Sequence, residues 1–203
     1  RIVLNRTAIG DAGLVALAPA LRRLPALEWL GLAGNPFGDE GLRFLVGAPP
    51  PVHLGAGCWE HPPWSGVLTK LEKLNLDYTQ ITDAGCRILE IALNSGALPT
   101  LEKLILSENQ LTSLSGIENA PSTLEELHVN ENDFTKFPHE VFKLHKLKTL
   151  MFTHNDGISG PLPTQFGEMK NLRKLLLWYN GFTGTIPTEL GNLKKLEVNP
   201  GIH

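Results

Sequence analysis

The sequence predicts an α/β solenoid, with short parallel strands along one side and helices, then 3₁₀ or extended turns, along the other. Three observations lead there. Residues 172–182, LRKLLLWYNGF, place Leu172, Leu175, Leu177, Asn180 and Phe182 in a spacing that recurs along the chain. The steps between copies are long at first, 28 residues from Leu4 to Leu32, and shorter later, 23 from Leu106 to Val129. The first two copies are each followed by a matching tetrapeptide, Gly10-Asp11-Ala12-Gly13 and Gly38-Asp39-Glu40-Gly41. One such unit cannot bury its own leucines and needs a copy on either side.

Within a unit, alternation at Leu175 and Leu177 sends two side chains to one side of a short strand and leaves Lys174, Leu176 and Trp178 on the other. The asparagine then turns the chain, its amide pairing with main-chain groups that the turn would orphan. Repeat one holds Ile2, Leu4, Thr7 and Ile9; repeat two holds Leu30, Leu32, Asn35 and Phe37. A step of 28 residues leaves room for a helix, for which Asp11 and Asp39 are expected N-caps. Leu14, Leu17 and Leu21 follow at helical spacing, with Pro19 expected to kink or split the helix. Repeat three (Leu71, Leu74, Leu76, Thr79, Ile81) continues into a helix expected to stop at Asn94-Ser95-Gly96. Repeats four (Leu104, Leu106, Asn109) and five (Leu127, Val129, Asn132) have shorter steps, so their return legs are expected to be 3₁₀ or extended around Pro121 and Pro138. Repeat six (Leu150, Phe152, Asn155) carries one extra residue at Asp156-Gly157, residues 172–182 form repeat seven, and an eighth begins at Leu196.

With 203 residues, 42% of them hydrophobic, and a formal charge of −3, the chain can build a sizeable core and has no charge bias toward nucleic acid or anionic membrane. Its longest apolar run, Leu14 to Leu21 around Pro19, is far below the roughly 20 residues that span a bilayer. Cys58 and Cys86 cannot supply the disulfide-bonded caps common in secreted solenoids, which favours the cytosol. The first residues already lie inside a repeat, without an initiating methionine or apolar leader, so the single domain over 1–203 is expected to be a fragment of a longer protein.

These phased units resemble the leucine-rich repeat over essentially the whole chain. Repeats one to three, with Gly-Asp-x-Gly and long steps, are similar to the ribonuclease-inhibitor type. Repeats six and seven, with Ser159-Gly160-Pro161-Leu162-Pro163 and Thr183-Gly184-Thr185-Ile186-Pro187, resemble the plant receptor-like type. The resemblance implies a right-handed arc with a concave parallel sheet, and work done by binding other proteins.

Leu32 to Leu76 is a step of 44 residues, 16 more than the step before it. The surplus falls in an irregular insertion at about 47–69, rich in proline and glycine, read as a surface loop. Alternative readings make Trp59 and Trp64 interface anchors, or make the segment untranslated sequence read through. His53, Cys58 and His61 form only a weak metal-ligand set.

Stacking in register lets the exposed face be written as columns. Between the strand leucines stand Val3, Gly31, Asn75, Ile105, His128, Met151 and Leu176; the next column is Asn5, Ala33, Asp77, Ser107, Asn130, Thr153 and Trp178. After it come Arg6, Gly34, Tyr78, Glu108, Glu131, His154 and Tyr179, and on the opposite margin Arg1, Trp29, Lys73, Lys103, Glu126, Thr149 and Lys174. Candidate partner-binding residues are accordingly Met151, Leu176, Trp178 and Tyr179 as apolar anchors beside His154, with Asp77, Glu108 and Glu131 orienting a partner and Tyr78 and His128 on the same face. The asparagines are assigned an internal, structural role. Ser107, His128 and Asp77 have the residue types of a nucleophilic triad but lie on an open face with no predicted oxyanion donors, so no enzyme is expected, nor any cofactor. The expected partner is a protein or peptide, not nucleic acid or membrane. A receptor ectodomain is the extracellular alternative, although the chain's sequon, Asn5-Arg6-Thr7, falls on the working face. A regulator of an enzyme such as a nuclease or small GTPase is the third reading.

Overall fold

The computed structural model describes residues 1–47 and 68–197. The expectations for Trp59, Trp64, His53, Cys58 and His61, and for the chain beyond Glu197, lie outside the described residues. Seven strands, β1 (Ile2–Val3), β2 (Trp29–Gly31), β3 (Lys73–Asn75), β4 (Lys103–Ile105), β5 (Glu126–His128), β6 (Thr149–Met151) and β8 (Lys174–Leu176), form one parallel sheet in chain order. Their register is constant: Leu30, Leu74, Leu104, Leu127, Leu150 and Leu175 are successive partners. Leu104 and Leu106 are fully buried while Ile105 between them stays half exposed, so the alternation has the predicted phase. Each leucine so buried contributes roughly 1.5–3 kcal/mol that a lone repeat would forgo.

The return legs follow the step length. Helices α1 (Asp11–Arg22), α2 (Asp39–Val46) and α3 (Asp83–Asn94) fill the long ones, and 3₁₀ turns at Ile117–Asn119, His139–Lys143, Thr164–Glu168 and Thr188–Asn192 fill the short ones. Where helices give way, phenylalanines take up the space: the Phe137 ring lies 5.0 Å from both Phe152 and Phe166, and Phe134 lies 5.1 Å from Phe152. In repeats six and seven the Gly-Pro motifs build an unanticipated second sheet, β7 (Asn155–Pro161) against β9 (Asn180–Thr183). Its register shifts between Asn155 and Ser159, where repeat six carries its extra residue at Asp156-Gly157.

Two sequence expectations are corrected. Pro19 does not split α1, which runs unbroken through it; Pro19 is exposed while Leu14, Ala18 and Leu21 hold the helix to the core, so the lost hydrogen bond faces water. Asp11 and Asp39 do not cap their own helices, whose N-caps are Gly10 and Gly38 without side-chain bonds. They reach instead into the next repeat. Asp11 Oδ1 accepts the N–H groups of Gly38 (2.9 Å) and Gly41 (2.8 Å), so the carboxylate of one repeat satisfies free amides at the start of the following helix. A Cβ at Gly41 would stand 2.8 Å from that oxygen, and one at Gly85 would stand 2.5 Å from Asp39 Oδ1. Gly41 and Gly85 are therefore required by the aspartate of the repeat before each.

A candidate protein-interaction face

The strand register makes the columns real. Gly31, Asn75, Ile105, His128, Met151 and Leu176 are successive partners along the exposed side, and Lys73, Lys103, Glu126, Thr149 and Lys174 along its margin. Beneath, the asparagines form the expected ladder. Asn109 Oδ1 accepts the Ile81 N–H at 3.0 Å, while Nδ2 donates to the carbonyls of Leu76 (2.9 Å), Leu106 (3.1 Å) and Ser107 (3.0 Å). In repeat three Thr79 donates to Leu76 O and to Asn109 Oδ1, at 3.0 and 2.8 Å.

A second ladder, on the exposed face, was not foreseen. Asn5 Oδ1 accepts the N–H of Ala33 at 3.0 Å, Asp77 Oδ1 that of Ser107 at 2.9 Å, and Asn130 Oδ1 that of Thr153 at 2.9 Å. Asp77 thus ties repeat three to repeat four, and its carboxylate is committed there. Burial pushes it up to about 6, helped by the neighbouring charge of Glu108 and opposed by the bond from Ser107. The sequence signal is present, since asparagine, aspartate and serine recur in one column, but from the sequence Asp77 is assigned to orienting a partner and not to joining repeats.

Every residue of the third column has a left-handed backbone: Arg6, Gly34, Tyr78, Glu108, Glu131, His154 and Tyr179 have φ between 51° and 68°. For a non-glycine residue that conformation costs on the order of 1 kcal/mol, sustained by the stacked ladder on either side. It turns each side chain to the corner where the sheet meets the turns. Tyr78 is 63% exposed there, and Glu108 and Glu131 are exposed next to it in sequence order.

At the C-terminal end His154, Trp178 and Tyr179 come together. The His154 ring stacks on Tyr179 (centroids 4.5 Å, 23° between planes) and meets Trp178 edge-on at 4.7 Å, and the Trp178 and Tyr179 rings are 5.2 Å apart. Trp178 nevertheless remains 45% and Tyr179 68% exposed. Met151 and Leu176, partners across β6 and β8, are half-buried beside them.

His128 sits between Ile105 and Met151 with its side chain only 12% exposed. Burial and the charge of Lys103 push it down to about 4, against the pull of Glu126. Its Nε2 lies 3.6 Å from Glu126 Oε2, beyond hydrogen-bond reach, and makes no hydrogen bond. Glu126 is taken by Lys103 at 2.7 Å, which neutralises the middle of the basic margin and narrows the charge gradient expected across the face. Ser107, His128 and Asp77 do not form a relay: Asp77 holds the Ser107 main chain, Ser107 Oγ accepts from the Asn130 N–H at 3.3 Å, and His128 is turned to Glu126.

The matches to known proteins define the class. Leucine-rich-repeat family models fit residues 122–182 and residues 67–89. The chain is a leucine-rich-repeat protein, and its fold is the leucine-rich-repeat solenoid. Ribonuclease inhibitor of Sus scrofa is 33% identical over 113 residues, 55% of this chain and 21% of that protein. Leucine-rich repeat-containing protein 73 of Rattus norvegicus is 31% identical over 156 residues, 66% of this chain and 49% of that one. The chain therefore spans at most about half the length of these relatives. Among solved structures, the Arabidopsis receptor kinase HAESA in complex with the peptide hormone IDA and the co-receptor SERK1 superposes with a TM-score of 0.58 at 20% identity, covering 87% of this chain and 26% of that chain. At that identity the likeness is one of fold. No helix among the described residues is long and apolar enough to cross a membrane.

Proposed function

We propose that this chain is a non-catalytic recognition scaffold that binds a protein or peptide on the exposed face of its sheet. One observation carries the reading: three rings, His154, Trp178 and Tyr179, are fixed against one another at the edge of the sheet, with Trp178 and Tyr179 still left open to solvent. Aromatic groups held in one rotamer lose little entropy on binding and bury a large area, which is what an interface anchor requires. Met151 and Leu176 extend the apolar footprint, and Glu108, Glu131 and Tyr78, raised at the corner by their backbone, orient the partner. The test is a quantitative pulldown from the native source with wild type and with Trp178→Ala plus Tyr179→Ala. Loss of the partners recovered by wild type is expected; unchanged recovery overturns the assignment of these anchors.

A second reading rests on the ribonuclease inhibitor match, namely that the bound protein is an enzyme whose activity the chain suppresses. Inhibition of ribonuclease activity by the purified chain, lost in the same double variant, is the expected result under that reading. Full ribonuclease activity at saturating chain excludes it.

A further inference from the structure

On the opposite margin of the solenoid from the aromatic trio, a pocket of about 240 Å³ opens between repeats five and six. Its apolar wall is Ala120, Pro121, Leu124 and Leu144, and its lip carries Lys143, His145 and Lys146. Lys143 is held by Glu118 at 3.7 Å, whereas His145 and Lys146 are exposed and make no side-chain hydrogen bond or ion pair among the described residues. The turns of the next two repeats add cations whose positions are fixed by bonds: Lys170 Nζ donates to Gly167 O at 2.6 Å, Lys194 Nζ to Gly191 O at 3.0 Å, and Lys195 Nζ to Asn171 Oδ1 at 2.7 Å. The preceding repeats put Thr69, Pro99 and Ser122 where His145, Lys170 and Lys194 stand, so the basic strip starts at the pocket.

We propose that this pocket and the strip leading from it bind an acidic peptide segment of a partner protein, one bulky apolar side chain entering the pocket and carboxylates on its flank meeting Lys146, His145 and Lys170. The volume lies below the roughly 300–1,000 Å³ of sites for drug-sized ligands and suits a single side chain. The apolar wall gives a polyphosphate nothing to bury against it, and Glu118 is already paired with Lys143. The chain's formal charge of −3 gives no long-range attraction to nucleic acid or to an anionic bilayer, whose binding rests on many phosphate contacts, whereas a short peptide needs only the local charges at the rim and the apolar pocket. A peptide satisfies both halves of the site, burying apolar area in the pocket and pairing charges at its rim.

A random seven-residue peptide display selection against the whole chain tests this. The expected winners carry Leu, Ile, Met or Phe next to two or more Asp or Glu, and bind at least tenfold more weakly to Lys143→Glu plus Lys146→Glu. They should bind equally poorly to Ser122→Phe, which fills the pocket mouth without changing charge. Trp178→Ala plus Tyr179→Ala should leave that binding unaltered, which separates this site from the aromatic one. Winners without acidic residues, or winners indifferent to the pocket variants, overturn the proposal. So does tighter binding of polyuridylate, or of vesicles one third phosphatidylserine, that the same pocket variants abolish.

Discussion

Asp39 and Thr82 are 43 residues apart in the chain, yet Asp39 Oδ1 accepts the Thr82 N–H at 2.9 Å and Oδ2 accepts the Thr82 hydroxyl at 2.7 Å. Asp83 and Thr112, only 29 residues apart, repeat the same pair of bonds one step along. Repeats two and three therefore stack as if the insertion between them were not there, and the register Trp29↔Lys73 and Leu30↔Leu74 is unshifted.

Removing 16 residues from within 48–67, which restores a 28-residue step, should consequently leave the fold intact. Loop-closure entropy changes by about 0.6 kcal/mol for each doubling of chain length between the joined ends, and the deletion amounts to about two halvings, so the melting temperature should rise by no more than about 6 °C. Asp39→Ala should instead cost about 1–2 kcal/mol, because it orphans the N–H and hydroxyl of Thr82, the N-cap of α3. Thermal unfolding of the two variants side by side checks both. A deletion more damaging than Asp39→Ala would mean that the insertion supports the stack.

The asparagine ladder makes a positional prediction. Asn109 is 7% exposed and serves two acceptor and three donor contacts, so Asn109→Ala leaves several buried main-chain groups unpaired and should cost about 3 kcal/mol. Asn180 bonds Phe152 O and Leu177 O, both at 2.7 Å, but is only half-buried, so water can replace its amide. Asn180→Ala should cost less than half as much. Urea unfolding midpoints decide it, and equal losses would refute burial as the reason.

What the sequence revealed and what it hid divide along a physical line. The leucine phase, the columns and the asparagine ladder follow from periods of two and of one repeat, which a chain displays locally; hence Leu104 and Leu175 were assigned to one side and Ile105 and Leu176 to the other. Aspartates that bond the following repeat were misassigned, because Asp11 to Gly41 is a relation between units that only the stacking distance creates. The left-handed backbone at Glu131 and Tyr179, and the pairing of β7 with β9, depend likewise on neighbours. Of the candidate site, the aromatic trio was legible as adjacent columns, whereas the pocket beside Lys146 was not, since its wall is assembled from two return legs.

The ladder on the exposed face is testable through Asp77. Its folded-state pKa, about 6, lies above the unfolded value of about 3.9, so the folded state holds the proton more firmly. The group's contribution is fully present below about pH 4 and is lost as pH rises through 6. Asn130 occupies the same column and accepts the Thr153 N–H, so an asparagine fits the role without the charge. Asp77→Asn should raise the unfolding free energy at pH 7 by less than about 1 kcal/mol after solvent screening, and the gain should vanish at pH 4. A loss at pH 7 would show that the carboxylate is stabilised by Lys103 more than it is hindered by burial and Glu108.

His128 acts over the same pH range in the opposite direction. Its pKa is depressed to about 4 from an unfolded value of about 6.5, so its contribution is fully present above pH 6.5 and is lost as pH falls through 4. Protonation would place a cation between Ile105 and Met151, beside Lys103 and Lys174, with Glu126 already occupied. His128→Leu removes this penalty and keeps an apolar side chain among apolar neighbours. The variant should lose less stability than wild type between pH 7 and pH 4.5, the difference being on the order of 1–3 kcal/mol, while Asp77→Asn loses more over the same interval. Chemical denaturation at the two pH values separates the contributions; parallel pH profiles for wild type and His128→Leu would mean that the imidazole swings out to solvent when it takes up a proton.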